Sequence, residues 1–148
     1  MQYENFMKKA GLDVRKFRQA FAFENESEKT ILDKEAANFN AYLVVKGWKT
    51  ATVTSVKNFK KMSSSLLNEN KFDLVLDGEG EPVAAIQFIK VEVVKFYDVT
   101  EEFARKDGES ENIRQWRALA RSFFEEQGEF ALDMDVVCME FRKIYPKN

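Results

Sequence analysis

Gly47-Trp48-Lys49-Thr50-Ala51-Thr52 marks the point where a helix gives way to a strand. Upstream, residues 28–46 read as the clearest helix of the chain. Ile31, Glu35, Phe39 and Leu43 recur every four positions, and Leu32, Ala36 and Phe39 thicken the apolar stripe. Ser27 is a fitting N-cap, and Lys46 followed by Gly47 is a C-terminal signal. Downstream, residues 50–56 alternate as a half-buried strand does, with Thr50, Thr52 and Thr54 on one face and Ala51, Val53 and Ser55 on the other. The same stretch opens a window from Lys46 to Asn68 that holds five lysines and no acid, whereas the rest of the chain carries 18 basic and 25 acidic residues. A concentrated basic, hydroxyl-rich strip in a chain of net charge −2 suggests a local anion site, such as one for a phosphate.

Beyond that window, residues 57–71, with Lys57, Lys60, Lys61 and the Ser63-Ser64-Ser65 run, read as a basic loop. Phe72–Leu76 is a strand, Asp77-Gly78-Glu79-Gly80-Glu81-Pro82 a hairpin turn, and Val83–Phe96 a long apolar strand, bent or split. This hairpin predicts an antiparallel sheet. Gly78 and Gly80 do not form a phosphate loop, because no Lys-Ser/Thr pair follows them. Thr100 caps a short helix, Asp107 to Glu111 form an acidic loop, and Asn112–Gln127 is a helix with Ile113, Trp116, Leu119 and Phe123 on one face. Arg114, Arg117 and Arg121 lie on an adjoining stripe. Asp135–Tyr145 is a closing strand. Toward the N-terminus, residues 2–10 read as a helix ended by Gly11, Val14–Ala20 as a second short helix, and Phe21–Phe23 as extended.

Composition narrows the function classes. A chain of 148 residues with 45% apolar residues fits one domain with a packed core. No histidine is present, which removes Ser-His-Asp and Cys-His arrangements and His-ligated metals. The single cysteine, Cys138, lies in an apolar run and reads as a buried thiol in a reducing compartment. Met1-Gln2-Tyr3-Glu4-Asn5 lacks the apolar core of a signal peptide, and no apolar run approaches the ~20 residues a membrane helix needs. The expectation is a cytoplasmic protein without metal, cofactor or membrane partner. Its oligomeric state is not written in the sequence.

Six segments carry a resemblance. They are Gly47–Thr52, Val75-Leu76-Asp77-Gly78-Glu79-Gly80-Glu81-Pro82, Val91-Glu92-Val93-Val94, Val99-Thr100-Glu101-Glu102-Phe103-Ala104, Trp116-Arg117 and Met134-Asp135-Val136-Val137-Cys138. In this order, over residues 21 to 146, the set resembles the ASCH family, a branch of the PUA-like β-barrels. The resemblance implies an α+β fold: a small PUA-like β-barrel of mainly antiparallel strands flanked by helices, with a cleft between helix and barrel. It implies a single domain over residues 1–148, with 1–20 as a helical extension and 21–146 as the barrel with its helices. RNA or a modified nucleoside is the implied ligand. Hydrolysis, of an N4-acylated cytidine or of RNA without metal, is the implied alternative.

Carried over by position, the family's Gly-x-Lys lysine falls on Lys49. The threonine of the small amidohydrolase branch falls on Thr52, and the carboxylate after the Thr-Glu-Glu helix falls on Asp107, with Glu109 as the near alternative. The chain departs from the common motif in having Thr52 and Thr54 where relatives have Glu and Arg, and Asp107 where relatives have glutamate. The lead into the hairpin strand also differs, being Leu67-Asn68-Glu69-Asn70-Lys71. Lys49, Thr52, Asp107 and Glu109 are thus the candidate catalytic set. Thr52 Oγ would be the nucleophile, and Lys49 its base only where its amine is neutral. Lys49 and Thr52 point to opposite faces of a regular strand and converge only if Lys49 lies in an irregular turn after Gly47. Trp48, Thr50, Thr54, Arg114 and Arg117 are the candidate substrate-binding set, with Trp48, Phe59 or Trp116 able to stack a base. Against these stand plainer readings: Trp116 as core, and Arg114 and Arg117 as a solvated face paired to Glu111 or Glu125.

Overall fold

The computed structural model describes residues 2–23, 31–62, 67 and 70–147. Ser27 as a cap, the Ser63-Ser64-Ser65 run and the side chains of Ile31 and Leu32 lie outside them. Helices α1 (Glu4–Lys9), α2 (Ile31–Lys46), α3 (Val56–Phe59), α4 (Glu101–Asp107) and α5 (Ile113–Glu126) surround strands β1 (Phe17–Phe21), β2 (Ala51–Ser55), β3 (Phe72–Leu76), β4 (Pro82–Lys95) and β5 (Asp135–Tyr145). The strands form one mixed sheet in the order β1-β3-β4-β5-β2. β1 runs parallel to β3, and the other pairs are antiparallel. β1 and β2 are its two edges and do not pair with each other, so the hydrogen-bonded ladder is open and the expected barrel closure is absent from it.

Three local expectations change. The helix expected over Val14–Ala20 is one 3-10 turn, Val14–Lys16, followed by β1. Tertiary pairing overrides local pattern there. Asp73 accepts from Arg18 Nε at 2.7 Å and from Gln19 Nε2 at 2.9 Å, which locks β1 against β3. The loop expected from residue 57 begins instead with α3, because the Ser55 hydroxyl accepts from Asn58 N and caps a helical turn. On α2 the packed face is Ala37, Asn40, Ala41, Leu43 and Val44, whereas Phe39 is 52% exposed. The four-residue spacing through Phe39 therefore followed the edge of the buried face.

The hairpin holds as expected. Asp77 Oδ1 accepts from Glu79 N and Glu81 N, and Gly80 takes φ +80°. Gly78 has a different reason to be glycine: a Cβ there would meet the Lys34 carbonyl oxygen of α2 at 2.3 Å. β4 is bent by register shifts at Ala85/Ile86 and Phe88/Lys90. The core has three parts. One lies between α2 and the sheet around Val44, Ile86 and Phe141, one under α4 and α5 around Phe96, Trp116 and Phe124, and one where α1 sets Met7 against Phe72 and Leu74. No helix among the described residues is long and apolar enough to cross a membrane.

Candidate functional site

Two helix ends build the site. Gly47 adopts φ +79° after α2, and the Trp48 and Lys49 amides both donate to the Leu43 carbonyl. Lys49 therefore sits in an irregular turn before β2, the condition its convergence with Thr52 requires. From the other side, α4 ends at Asp107 with Gly108 in the left-handed region at φ +82°. The two ends touch: a Cβ on Gly108 would lie 2.4 Å from the Trp48 carbonyl oxygen. A second tie is the Thr50 amide, which donates to the Lys106 carbonyl at 2.7 Å.

This contact drives Lys49 into the interior, where it is only 2% exposed. Its Nζ donates to Asp107 Oδ1 and, at 3.1 Å, to the Asp107 carbonyl oxygen. Glu109 Oε1 lies 3.7 Å away, and the ammonium stands 5.1 Å from the Phe23 ring centroid. The second Asp107 oxygen accepts from Trp116 Nε1 at 2.9 Å. Trp116 is thus core, as its helical spacing implies, and also the donor that fixes the carboxylate. Burial, with the Asp107 charge beside it, pushes the Glu109 carboxyl above its ordinary range, against the opposing pull of Lys49 and a hydrogen bond from Asn40.

These groups line a cavity of about 340 Å³. Its apolar walls include Phe21, Phe23, Phe88, Leu119, Phe123 and Met139, and its polar lining includes Asn40, Thr52, Thr54 and Ser110. The volume falls within the range of small-molecule sites, about 300–1,000 Å³. Of the sequence candidates, the fold brings Lys49, Thr52, Thr54, Asp107 and Glu109 to one cavity. Trp48 is 59% exposed and meets Tyr42 edge-on rather than lining the cavity. Thr50 is used through its backbone, which also accepts from Phe141 N. Arg114 is exposed on α5, and Arg117 turns to the Tyr97 carbonyl at 3.2 Å. The α5 pair seen with Glu125 is that of Arg121 rather than of Arg114 or Arg117. Phe59 packs against the α2 core and is absent from the cavity lining.

The anion expectation changes as well. Among the described residues, the cavity is lined by one cation, Lys49, and four carboxyl groups, those of Asp33, Asp107, Glu109 and Glu126. Lys46, Lys57, Lys60 and Lys61 are exposed outside it. These four lysines of the basic window are therefore surface residues, while the described lining of the cavity holds more carboxyl groups than cations. Asn40 and Ser110 escaped the sequence reading. The one legible signal for Asn40 was a polar residue among apolar ones on α2. Cys138, buried as expected, has its thiol pushed up to about 12 by burial, which leaves it inert near neutrality. Among the described residues, no group of His, Cys, Asp or Glu could hold a metal ion.

The ASCH domain family model matches residues 27–145. The chain belongs to the ASCH domain family. Two solved structures agree with this ASCH domain along almost its whole length. An ASCH domain from Lactobacillus crispatus JV V101 has a TM-score of 0.78 at 22% identity, covering 98% of this chain and 95% of that one. A protein from Enterococcus faecalis V583 has a TM-score of 0.74 at 30% identity, covering 97% of this chain and 87% of that one. No functionally curated protein matches this ASCH domain.

Proposed function

We propose that this ASCH domain recognises RNA or a modified nucleoside, taking one base into the cavity above Lys49 and Asp107. The supporting observation is a buried, mutually hydrogen-bonded Lys49–Asp107–Trp116 set beneath a cavity with several aromatic walls. A flat heteroaromatic ring gains from such walls by stacking, and the few polar groups orient it. Residues 1–148 act as one ASCH-like unit of PUA-like type in the cytoplasm. Calorimetric titration with cytidine, N4-acetylcytidine and a single-stranded oligoribonucleotide tests the reading. Binding of at least one, weakened in Thr52→Val, is expected. No binding of any of them to the wild type sinks it. If the exposed lysines track an RNA backbone, oligonucleotide affinity falls steeply with salt, whereas nucleoside affinity does not.

A second reading is hydrolysis, either amide hydrolysis of an N4-acylated cytidine or metal-independent cleavage of RNA. It is favoured by Lys49, Thr52, Asp107 and Glu109 all facing one cavity. In the amide case the Thr52 hydroxyl would attack the acyl carbonyl while the ionised Glu109 carboxylate takes its proton, and water, giving a proton to Glu109 in turn, would then release the acid and restore Thr52. Lys49 already donates to Asp107, so it suits stabilising a developing oxyanion better than removing a proton. Glu109, which holds a proton more tightly than an ordinary glutamate, would hand the proton taken from Thr52 to the departing nitrogen. Chromatography of N4-acetylcytidine after incubation with wild type, Thr52→Val and Glu109→Gln tests this. Turnover by the wild type that is lost in both variants is expected, and an unaltered substrate rules out the amide reaction.

A further inference from the structure

Among the described residues of α2, Asn40 is the one polar side chain that is buried, at 6% exposure. Its Nδ2 donates to the Ala36 carbonyl at 3.0 Å. A carbonyl oxygen only accepts, so the Ala36 bond fixes which end of the amide is nitrogen. Oδ1 is left as a buried acceptor with no partner. Buried polar atoms are normally paired, and the exceptions mark places where a partner is expected. Of the three such atoms among the described residues, two belong to residues lining this cavity, Asn40 and Ser110. The charge of the cavity points the same way. Among the described lining residues, Glu109 and Glu126 stand with one ammonium that is already matched to Asp107, so acceptors outnumber cations there.

Resting on the reading of the cavity as a nucleobase site, we propose that Asn40 is a specificity-determining residue whose Oδ1 accepts an N–H of the ligand. The cavity then selects a base edge bearing an amino group over the same edge bearing a carbonyl. Cytosine and uracil differ in this way at nearly constant size. A carbonyl brought to Asn40 would set two acceptors face to face and leave both unpaired. Ser110 Oγ, which donates or accepts, supplies a second contact to either base and is not the discriminating group.

Calorimetric titration of the full chain with cytidine and with uridine tests this. Wild type is expected to prefer cytidine by about tenfold or more, the discrimination of a good base-edge contact. Asn40→Leu, similar in size without an acceptor, is expected to lose the preference while remaining folded in a thermal melt. Asn40→Asp, which keeps an acceptor, is expected to retain it and serves if Asn40→Leu does not fold. Equal binding, or a preference for uridine, in the wild type overturns the inference and leaves the nucleobase reading standing. A cytidine preference surviving in folded Asn40→Leu, or lost in folded Asn40→Asp, removes Asn40 from the role. Failure of the wild type to bind either nucleoside overturns both readings.

Discussion

Lys49 and Asp107 are each buried, and each is the other's principal partner. Removing one leaves the other as an uncompensated charge in the interior. Lys49→Ala is therefore expected to destabilise the fold by about 3–5 kcal/mol in urea denaturation. Lys49→Met combined with Asp107→Asn should cost less than the sum of the two single changes, because the pair is removed together. Additivity of the two would show that the buried bond carries little coupling. Glu109 gives the pH signature. Its carboxyl is raised in the folded state, so the native protein holds that proton more tightly than the unfolded chain does. This contribution is fully present below the unfolded carboxyl range and is lost as pH rises through the raised folded value. Glu109→Gln lacks the titration. Its melting temperature relative to wild type should rise as the pH is raised from the ordinary carboxyl range toward neutrality. A flat difference across that range would mean that Glu109 is not raised.

Helix ends decide the site at the next scale. Gly108 both terminates α4 in the left-handed region and lies against the Trp48 carbonyl, so its glycine identity is required twice. Gly80 has a similar positive φ, but open space where a Cβ would stand. Alanine at both positions meets the same backbone strain, of about 1–2 kcal/mol. Only Gly108→Ala also pushes the Lys49 turn away from Asp107. We expect Gly108→Ala to lose clearly more stability than Gly80→Ala in paired urea titrations, and to weaken ligand binding. Equal losses would mean that the contact between the turns relaxes freely. Helix α2 teaches a related lesson. Its apolar spacing was legible, yet Phe39 faces solvent and Asn40 faces inward, because Ala41 and Val44 pack on the sheet and Asn40, beside them, lines the cavity.

Over the whole molecule, the N-terminal elements are part of the packed fold. Met7 is fully buried against Phe72 and Leu74, and β1 extends the sheet through β3. Met7→Ala should cost about 2–5 kcal/mol while unfolding stays a single transition. A near-neutral effect would make α1 an appendage. Asp107, Glu109 and Glu126 outnumber Lys49 in the described lining of the cavity, which sets a rule for ligands as well. If a base occupies it, cytidine should bind more tightly than cytidine 5′-monophosphate, and adding salt should narrow the gap. Tighter binding of the phosphate would return the cavity to the anion role suggested by the lysine window.

The helix–turn–strand unit around Gly47, the hairpin at Asp77–Pro82, helices α2, α4 and α5, and the family were all legible in the amino-acid sequence. These depend on caps, glycines and periodicity, which act within a few residues. Lys49, Thr52, Asp107 and Glu109 were legible as candidates through the resemblance. That β1 is a strand emerged only on folding, since its reason is the pairing of Arg18 and Gln19 with Asp73, far along the chain. The same long-range contacts leave the hydrogen-bonded ladder open, keep Arg114 and Arg117 outside the cavity, and give its described lining more carboxyl groups than cations although the neighbouring sequence is basic. Lysine count along a chain fixes a local charge. Which charges share a low-dielectric space depends on how helix ends meet, and that is set by contacts such as Gly108 on Trp48.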